Sequence, residues 1–364
     1  MRMGRITMNR QKMVMGSVVL LGMCSAVLLF ATTFQLTFIS SSDYEKANWP
    51  TTPISWSLNP SNPNVYSSTG TLANEAALAS VLDAAFTLWS GAQYQSTSVN
   101  TLSFAQGADN TNTAFILNDC VNSIGFTGSS LATGIIAETS VTTYSEGGAT
   151  GFTYLCTTAP YTRTCPNKVC ITDADIEFSS SFNFSTPSYT NPPDGYFDLQ
   201  TTATHEIGHM IGLGHTGLAN AVMYPYGDSG TGGVKYSLAL DDEIGSEVLY
   251  PNSDIQSLAG AIKGTVTVGG SAAFGAHVVA IDSTTGNVIT DTLSDNDGNY
   301  ELNLMEGNYY VLVLPLATDI SGDSGTNGVT TINNYTGFAC GYAANYSTCS
   351  GVPANPVDFT GTYY

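Results

Sequence analysis

Basic residues are scarce in this chain. Its 364 residues include nine Lys and Arg against 29 Asp and Glu. Four of the nine (Arg2, Arg5, Arg10 and Lys12) fall in the first twelve positions, and no acid precedes Asp43. The remainder is strongly acidic, which excludes binding of DNA or RNA through a phosphate-neutralising face. The same surplus suits calcium, salty surroundings and an acid-rich surface. Histidine is scarcer still: there are four, three of them within 205–215. Apolar character is plentiful. Hydrophobic residues make up 43% and aromatics 10%, so the chain is not disordered, and its length predicts two or three domains.

Residues 13–31 (MVMGSVVLLGMCSAVLLFA) are apolar and follow a basic start. That order predicts a signal peptide or an uncleaved membrane anchor over 1–41, with the body outside the cytoplasm. Cysteine usage agrees. Seven are present, one of them (Cys24) in the apolar segment. The even remainder, in an exported chain, predicts three disulfides. Cys340 and Cys349 are expected to pair. Cys120, Cys156, Cys165 and Cys170 allow three connectivities, of which Cys120–Cys156 with Cys165–Cys170 is favoured. A zinc site is disfavoured, because the two-residue spacings are missing.

Alternating apolar residues predict strands at 53–58, around Leu102 and Phe104, at 114–117 and at 171–178. Residues 72–90 carry apolar side chains at helical spacing, among them Leu78, Val81, Leu82, Ala85, Phe86 and Trp89. Trp89 reads as core packing. Residues 197–213 are helical in their middle, and 240–250 form a short helix with acids in its first turn, ended by Pro251. A boundary falls near 251–259. Beyond it only strand patterns follow, predicting an antiparallel β-sandwich over 258–316. Residues 317–364, rich in Gly, Ser, Thr and Asn, take no assignment.

Residues 205–215 read HEIGHMIGLGH. On a helix His205 and His209 project from one face, at a spacing that holds one Zn²⁺. Glu206 sits beside them as a candidate general base. Gly212 can adopt the positive backbone angle that stops a helix and turns the chain, so that His215 returns as a third ligand. Three imidazoles leave a fourth position for water. A core helix with scattered histidines is the bland alternative, but the pattern arises by chance roughly once in a million chains of this length.

These residues resemble the zinc signature of the metzincin metalloproteases, and Ala221-Val222-Met223-Tyr224-Pro225 resembles the Met-turn in its matrixin form. Residues 49–58, the helix with Ala85-Phe86 and Trp89-Ser90, the acidic strand 173–178 and the helix Leu240-Asp241-Asp242 with Leu249-Tyr250 follow the matrixin order. The resemblance covers about 48–251. It implies an α+β catalytic domain with a mixed twisted sheet and three main helices over 42–251. It also implies one catalytic zinc on His205, His209 and His215, Glu206 as base, and Met223 as an apolar floor rather than a ligand.

Departures from the family pattern bear on the site. No prodomain or cysteine-switch motif is expected after the targeting segment. Asp175 stands where a histidine ligand of a second, structural zinc would fall, so no such zinc is expected. Asp173 and Glu177 are candidate calcium ligands, against a solvated strand face. Leu131-Ala132 is matched to the substrate-pairing edge strand. Leu131 lies 74 residues before His205, and the excess is a cysteine-bearing excursion that could wall the cleft. Tyr226 directly follows Pro225, and both are candidate substrate-binding residues. The C-terminal domain resembles the prealbumin-like, carboxypeptidase-regulatory-like sandwiches through Asp297-Gly298-Asn299-Tyr300 and Gly307-Asn308-Tyr309. It reads as a spacer or binding module, with His277 a packed or surface residue.

The expectation is a secreted or membrane-tethered zinc endopeptidase acting on protein or peptide. Contact with membrane is expected only through the N-terminal segment, and the oligomeric state is open. The alternative is a non-catalytic extracellular binding or adhesion protein on the same fold. Glu206 discriminates between them, since a pure binder has no need of the base.

Overall fold

The computed structural model describes residues 36–40, 43–61, 64–67, 70–110, 115–127, 131, 134–156, 162–295, 297–315 and 362–363. The targeting segment, Cys340, Cys349 and Ala132 lie outside them. Among the described residues no helix is long and apolar enough to cross a membrane.

The first unit is a five-stranded mixed sheet with helices on one face. It contains β1 (Ile54–Asn59), α1 (Glu75–Ser90), β2 (Phe104–Gln106), β3 (Ser123–Thr127), β4 (Ala137–Ser145), β5 (Val169–Ser179), α2 (Leu199–Met210) and α3 (Leu240–Leu249). The strand order is β2-β1-β3-β5-β4. All neighbours run parallel except β4, which pairs antiparallel with β5 and forms one edge.

α1 starts at Glu75, three residues later than the periodicity suggests. Asn74 caps it by accepting the Ala77 N–H at 2.9 Å, and Leu72 stays exposed. Its buried stripe is the one the spacing predicts: Leu78, Val81, Leu82, Ala85, Phe86 and Trp89. These pack under the sheet, with Phe86 stacked on Trp56 at a centroid distance of 4.9 Å. Of the strand expected at 114–117, Ala114 lies outside the described residues, and 115–117 form no strand. Asn118 and Cys120 take positive φ, and the Asn118 N–H is drawn to Asp173 at 2.8 Å. The chain therefore turns, and the strand begins at Ser123.

The cysteine-bearing excursion is a hairpin, Phe152–Leu155 with Thr162–Cys165. It is held by Cys120–Cys156 and Cys165–Cys170, the favoured pairing. It packs on Tyr144, at the far end of β4 from Ala137.

Among the described residues the longer strands that follow are β6 (Ala259–Thr265), β7 (His277–Asp282), β8 (Val288–Leu293), β9 (Asn299–Met305) and β10 (Tyr309–Leu314). β6 pairs with β9, and β7 lies between β8 and β10, all antiparallel. Thr362–Tyr363, from the region left unassigned by the sequence, adds to β10. Val278, Ala280, Leu302, Leu304 and Val313 fill the space between the two sheets. The fold is thus α+β with an all-β unit after it. A shared apolar cluster, including Ile244 and Ile255 with Met305 and Ile289, joins the two.

Candidate metal centre

α2 begins at Asp198, whose carboxylate accepts the Thr201 N–H at 2.7 Å. It ends at Met210, and two residues on the chain turns at Gly212, where φ is +104°. A side chain there would strike the Ala47 carbonyl, so the turn requires glycine. Three buried aromatic donors reach carbonyls in and just beyond α2. Trp89 Nε1 donates to Thr204 O at 2.8 Å, Trp49 Nε1 to Met210 O at 2.8 Å, and the Tyr250 hydroxyl to Ile211 O at 2.7 Å. Trp89 packs in the core, as its spacing predicts, and its indole N–H also bonds α2.

The three histidines converge. Their ligand nitrogens lie within 4.8 Å of one another, and the Nε2 atoms of His209 and His215 are 3.2 Å apart. His205 Nδ1 sits 2.7 Å from Val222 O, and His209 Nδ1 sits 2.9 Å from Leu213 O. A carbonyl only accepts, so each Nδ1 carries the proton and each Nε2 presents a lone pair. His205 Nε2 is buried and meets no protein partner. Burial pushes His205 well below its ordinary pKa and His209 down to about 4, so both are neutral. Oriented, neutral imidazoles around one point fit a zinc ion. Among the described residues this is the one group of three or more metal-ligating side chains.

Two features of the surroundings follow from packing. Gly208 lies inside the signature, and a Cβ there would collide with Met223 Sδ and crowd Trp89. The Met223 side chain is thus pressed against the helix backbone beneath the histidines. Its turn is tied to α3: Asp242 accepts from Val222 N at 2.8 Å, Met223 N at 3.1 Å and Ala239 N at 2.8 Å. Burial raises the Asp242 pKa, and these donors offset part of that rise.

Glu206 is buried, and burial pushes its pKa up to about 8. Its Oε2 accepts the Thr139 hydroxyl at 2.6 Å, while Oε1 meets no protein donor. Thr139 belongs to β4, so the edge strand that runs past the helix is Ala137–Ser145. The sequence match set that strand at Leu131-Ala132. Leu131 lies in no strand, six residues ahead, because antiparallel pairing with β5 starts only at Ala137↔Phe178. The cysteine hairpin sits beyond Tyr144 rather than beside Thr139.

Pro225 is buried and Tyr226 half-buried, its ring edge-on to Tyr224 at 5.5 Å. Asp173 and Glu177 share one face of β5. Asp173 is wholly buried, with one oxygen on the Asn118 N–H and the other without a protein partner. Asp175, between them, repeats this with the Ser123 N–H at 2.9 Å. The sequence reading missed Thr139 and Gly208. Strand alternation gave a weak signal for the first; the second is an unassigned position of the signature.

The sequence model of the matrixin family matches residues 48–251. Metalloendoproteinase 4-MMP of Arabidopsis thaliana is 39% identical over 77 residues, 20% of this chain and 22% of that protein. Metalloendoproteinase 1 of Glycine max is 40% identical over 81 residues, 22% of this chain and 25% of that protein. Matrilysin of Rattus norvegicus is 39% identical over 62 residues, 17% of this chain and 23% of that protein. The alignments thus span a quarter or less of the length of these curated relatives.

Proposed function

The chain belongs to the matrixin family, and from that premise we propose that it is a zinc-dependent endopeptidase acting outside the cytoplasm. The observation that carries the proposal is the pair of Nδ1–carbonyl contacts that aim His205 and His209 at a point shared with His215. Zinc bound there supplies Lewis acidity to the scissile carbonyl and to an attacking water.

The chain's own residues do the rest. β4 offers its outer edge to an extended peptide, which aligns the scissile bond over α2. Thr139 holds one oxygen of Glu206, and a zinc ion on the neighbouring imidazoles would favour the ionised carboxylate against the upward push of burial, so that Oε1 can take a proton from the attacking water. The same carboxyl then delivers that proton to the leaving amine. Met223 keeps the floor of the site apolar and dry. No side chain acts as a nucleophile, so no covalent acyl-enzyme forms. Two disulfides support an oxidising compartment. Calcium is proposed for Asp173 and Glu177, on the strength of the unpartnered Asp173 oxygen. Residues 42–251 form the protease unit and 258–316 the sandwich in this reading.

The test is cleavage of unfolded casein by the parent and by Glu206→Ala, with bound zinc measured in both. Cleavage by the parent alone, at one zinc per chain in each, is expected. Zinc in both without cleavage by either would favour the binding or adhesion reading. Zinc in neither would sink the metal centre.

A further inference from the structure

The third metal ligand, His215, lies outside α2, on a loop whose next two residues touch the sandwich. Thr216 donates its hydroxyl to Asp291 Oδ1 at 2.6 Å, and the Gly217 N–H reaches Asp291 Oδ2 at 2.9 Å. Asp291 lies on β8. Its Oδ2 also meets His277 Nε2 at 2.5 Å, from the neighbouring strand β7. Asp291, His277 and Thr216 are all buried. A Cβ on Gly217 would run into both the carboxylate and the imidazole, so the loop backbone rests directly on this pair. The other side of the loop is held by the Thr216 N–H on Met223 O at 3.1 Å.

The pair is closed to solvent, so it cannot serve as an acid–base dyad on a substrate of its own. Nor is it needed merely to join the two units, because the apolar cluster around Ile244 and Met305 does that. What the carboxylate adds is three donors gathered at one buried charge, two of them from the residues after His215. Charge-assisted bonds of this kind fix geometry strongly. Groups one step removed from a metal ligand set its orientation and hence the metal's residence.

We propose that Asp291, braced by His277, is a positioning residue for the metal centre, and that the C-terminal sandwich thereby completes the site. This rests on the metal-centre reading above. The sandwich is then a working part of the enzyme rather than a spacer.

The experiment measures zinc release from the loaded full chain into a chromogenic chelator, and the visible spectrum after replacement by Co²⁺. Asp291→Asn removes the charge and one acceptor. Thr216→Val removes one donor at nearly constant shape, and serves if the first variant folds poorly. Leu302→Ala weakens the sandwich core (Leu302 is fully buried) without touching the clamp. The first two variants are expected to release zinc about tenfold faster and to shift the Co²⁺ bands. Leu302→Ala is expected to melt earlier yet release zinc at the parental rate. Parental release from both clamp variants overturns the proposal. Equal acceleration in Leu302→Ala also overturns it, by reducing the clamp to general stability. A parent that holds no stoichiometric zinc sinks the metal-centre reading, and the clamp with it.

Discussion

Thr139 on the edge strand gives its hydroxyl to Glu206 on α2 at 2.6 Å. One side chain therefore links the strand that would align a peptide with the carboxylate that would act on it. Thr139→Val keeps the shape and removes the donor. A bond to a charged group is worth about 1.5–3 kcal/mol, so kcat is expected to fall about tenfold to a hundredfold. KM and bound zinc should stay near parental values, because the imidazoles do not touch Thr139. A change in KM alone would mean that the residue serves binding and not the base.

Gly208 tests the packing beneath the histidines. Gly208→Ala places a methyl group against Met223 Sδ and Trp89. Helix propensity favours alanine by about 1 kcal/mol, whereas overpacking costs about 1–3 kcal/mol. The collision is with a buried side chain and an indole ring, neither free to withdraw. The expected result is a lower Tm together with faster zinc loss. A higher Tm at unchanged metal affinity would show that Met223 can move aside.

Much of the first unit was legible because helical spacing and chain-local chemistry are written in sequence. The buried stripe of α1 and the two ligands four residues apart follow from a period near 3.6. Gly212 and His215 follow from the same motif. What was not legible depends on strand register. The start of the edge strand at Ala137 is one such feature, because main-chain pairing leaves no mark on side-chain pattern. His277 read as a packed histidine, and it is packed. Its partner Asp291 is diagonal to it across β7 and β8, where His277 faces Leu293 and Asp291 faces Val279. No spacing rule connects two such residues to a loop that precedes Asp291 by 74–75 positions.

Removing the metal should cost stability as well as activity. A ligand bound at a thousandfold excess over its Kd contributes about 4 kcal/mol to the folded state. For a unit of some two hundred residues that corresponds to roughly 10 °C in Tm. Dialysis against a zinc chelator is expected to lower Tm by about that amount, and Zn²⁺ to restore it. The His205→Ala variant should already melt near the stripped value and fail to respond to zinc. A chelator-insensitive parent would speak against a metal at this site.

The acids of β5 give a pH dependence of definite sign. Burial first and the neighbouring carboxylates second push Asp173 up to about 7 and Asp175 up to about 9. In the unfolded chain both release their protons near pH 4, as ordinary aspartates do, at about 3.9. Between these values the folded state binds more protons than the unfolded one, so unfolding free energy falls as pH rises. The contribution is complete below about pH 4 and is lost as pH climbs through about 7 and then about 9. With a calcium chelator present, Tm is therefore expected to drop steadily from pH 5 to pH 9. Asp175→Asn stays neutral throughout and should flatten the upper part of that curve. Calcium acts in the opposite direction, since it binds the ionised form. Added Ca²⁺ should raise Tm most at the alkaline end if Asp173 and Glu177 hold it. A Tm that climbs towards alkaline pH without calcium would contradict the buried, protonated pair.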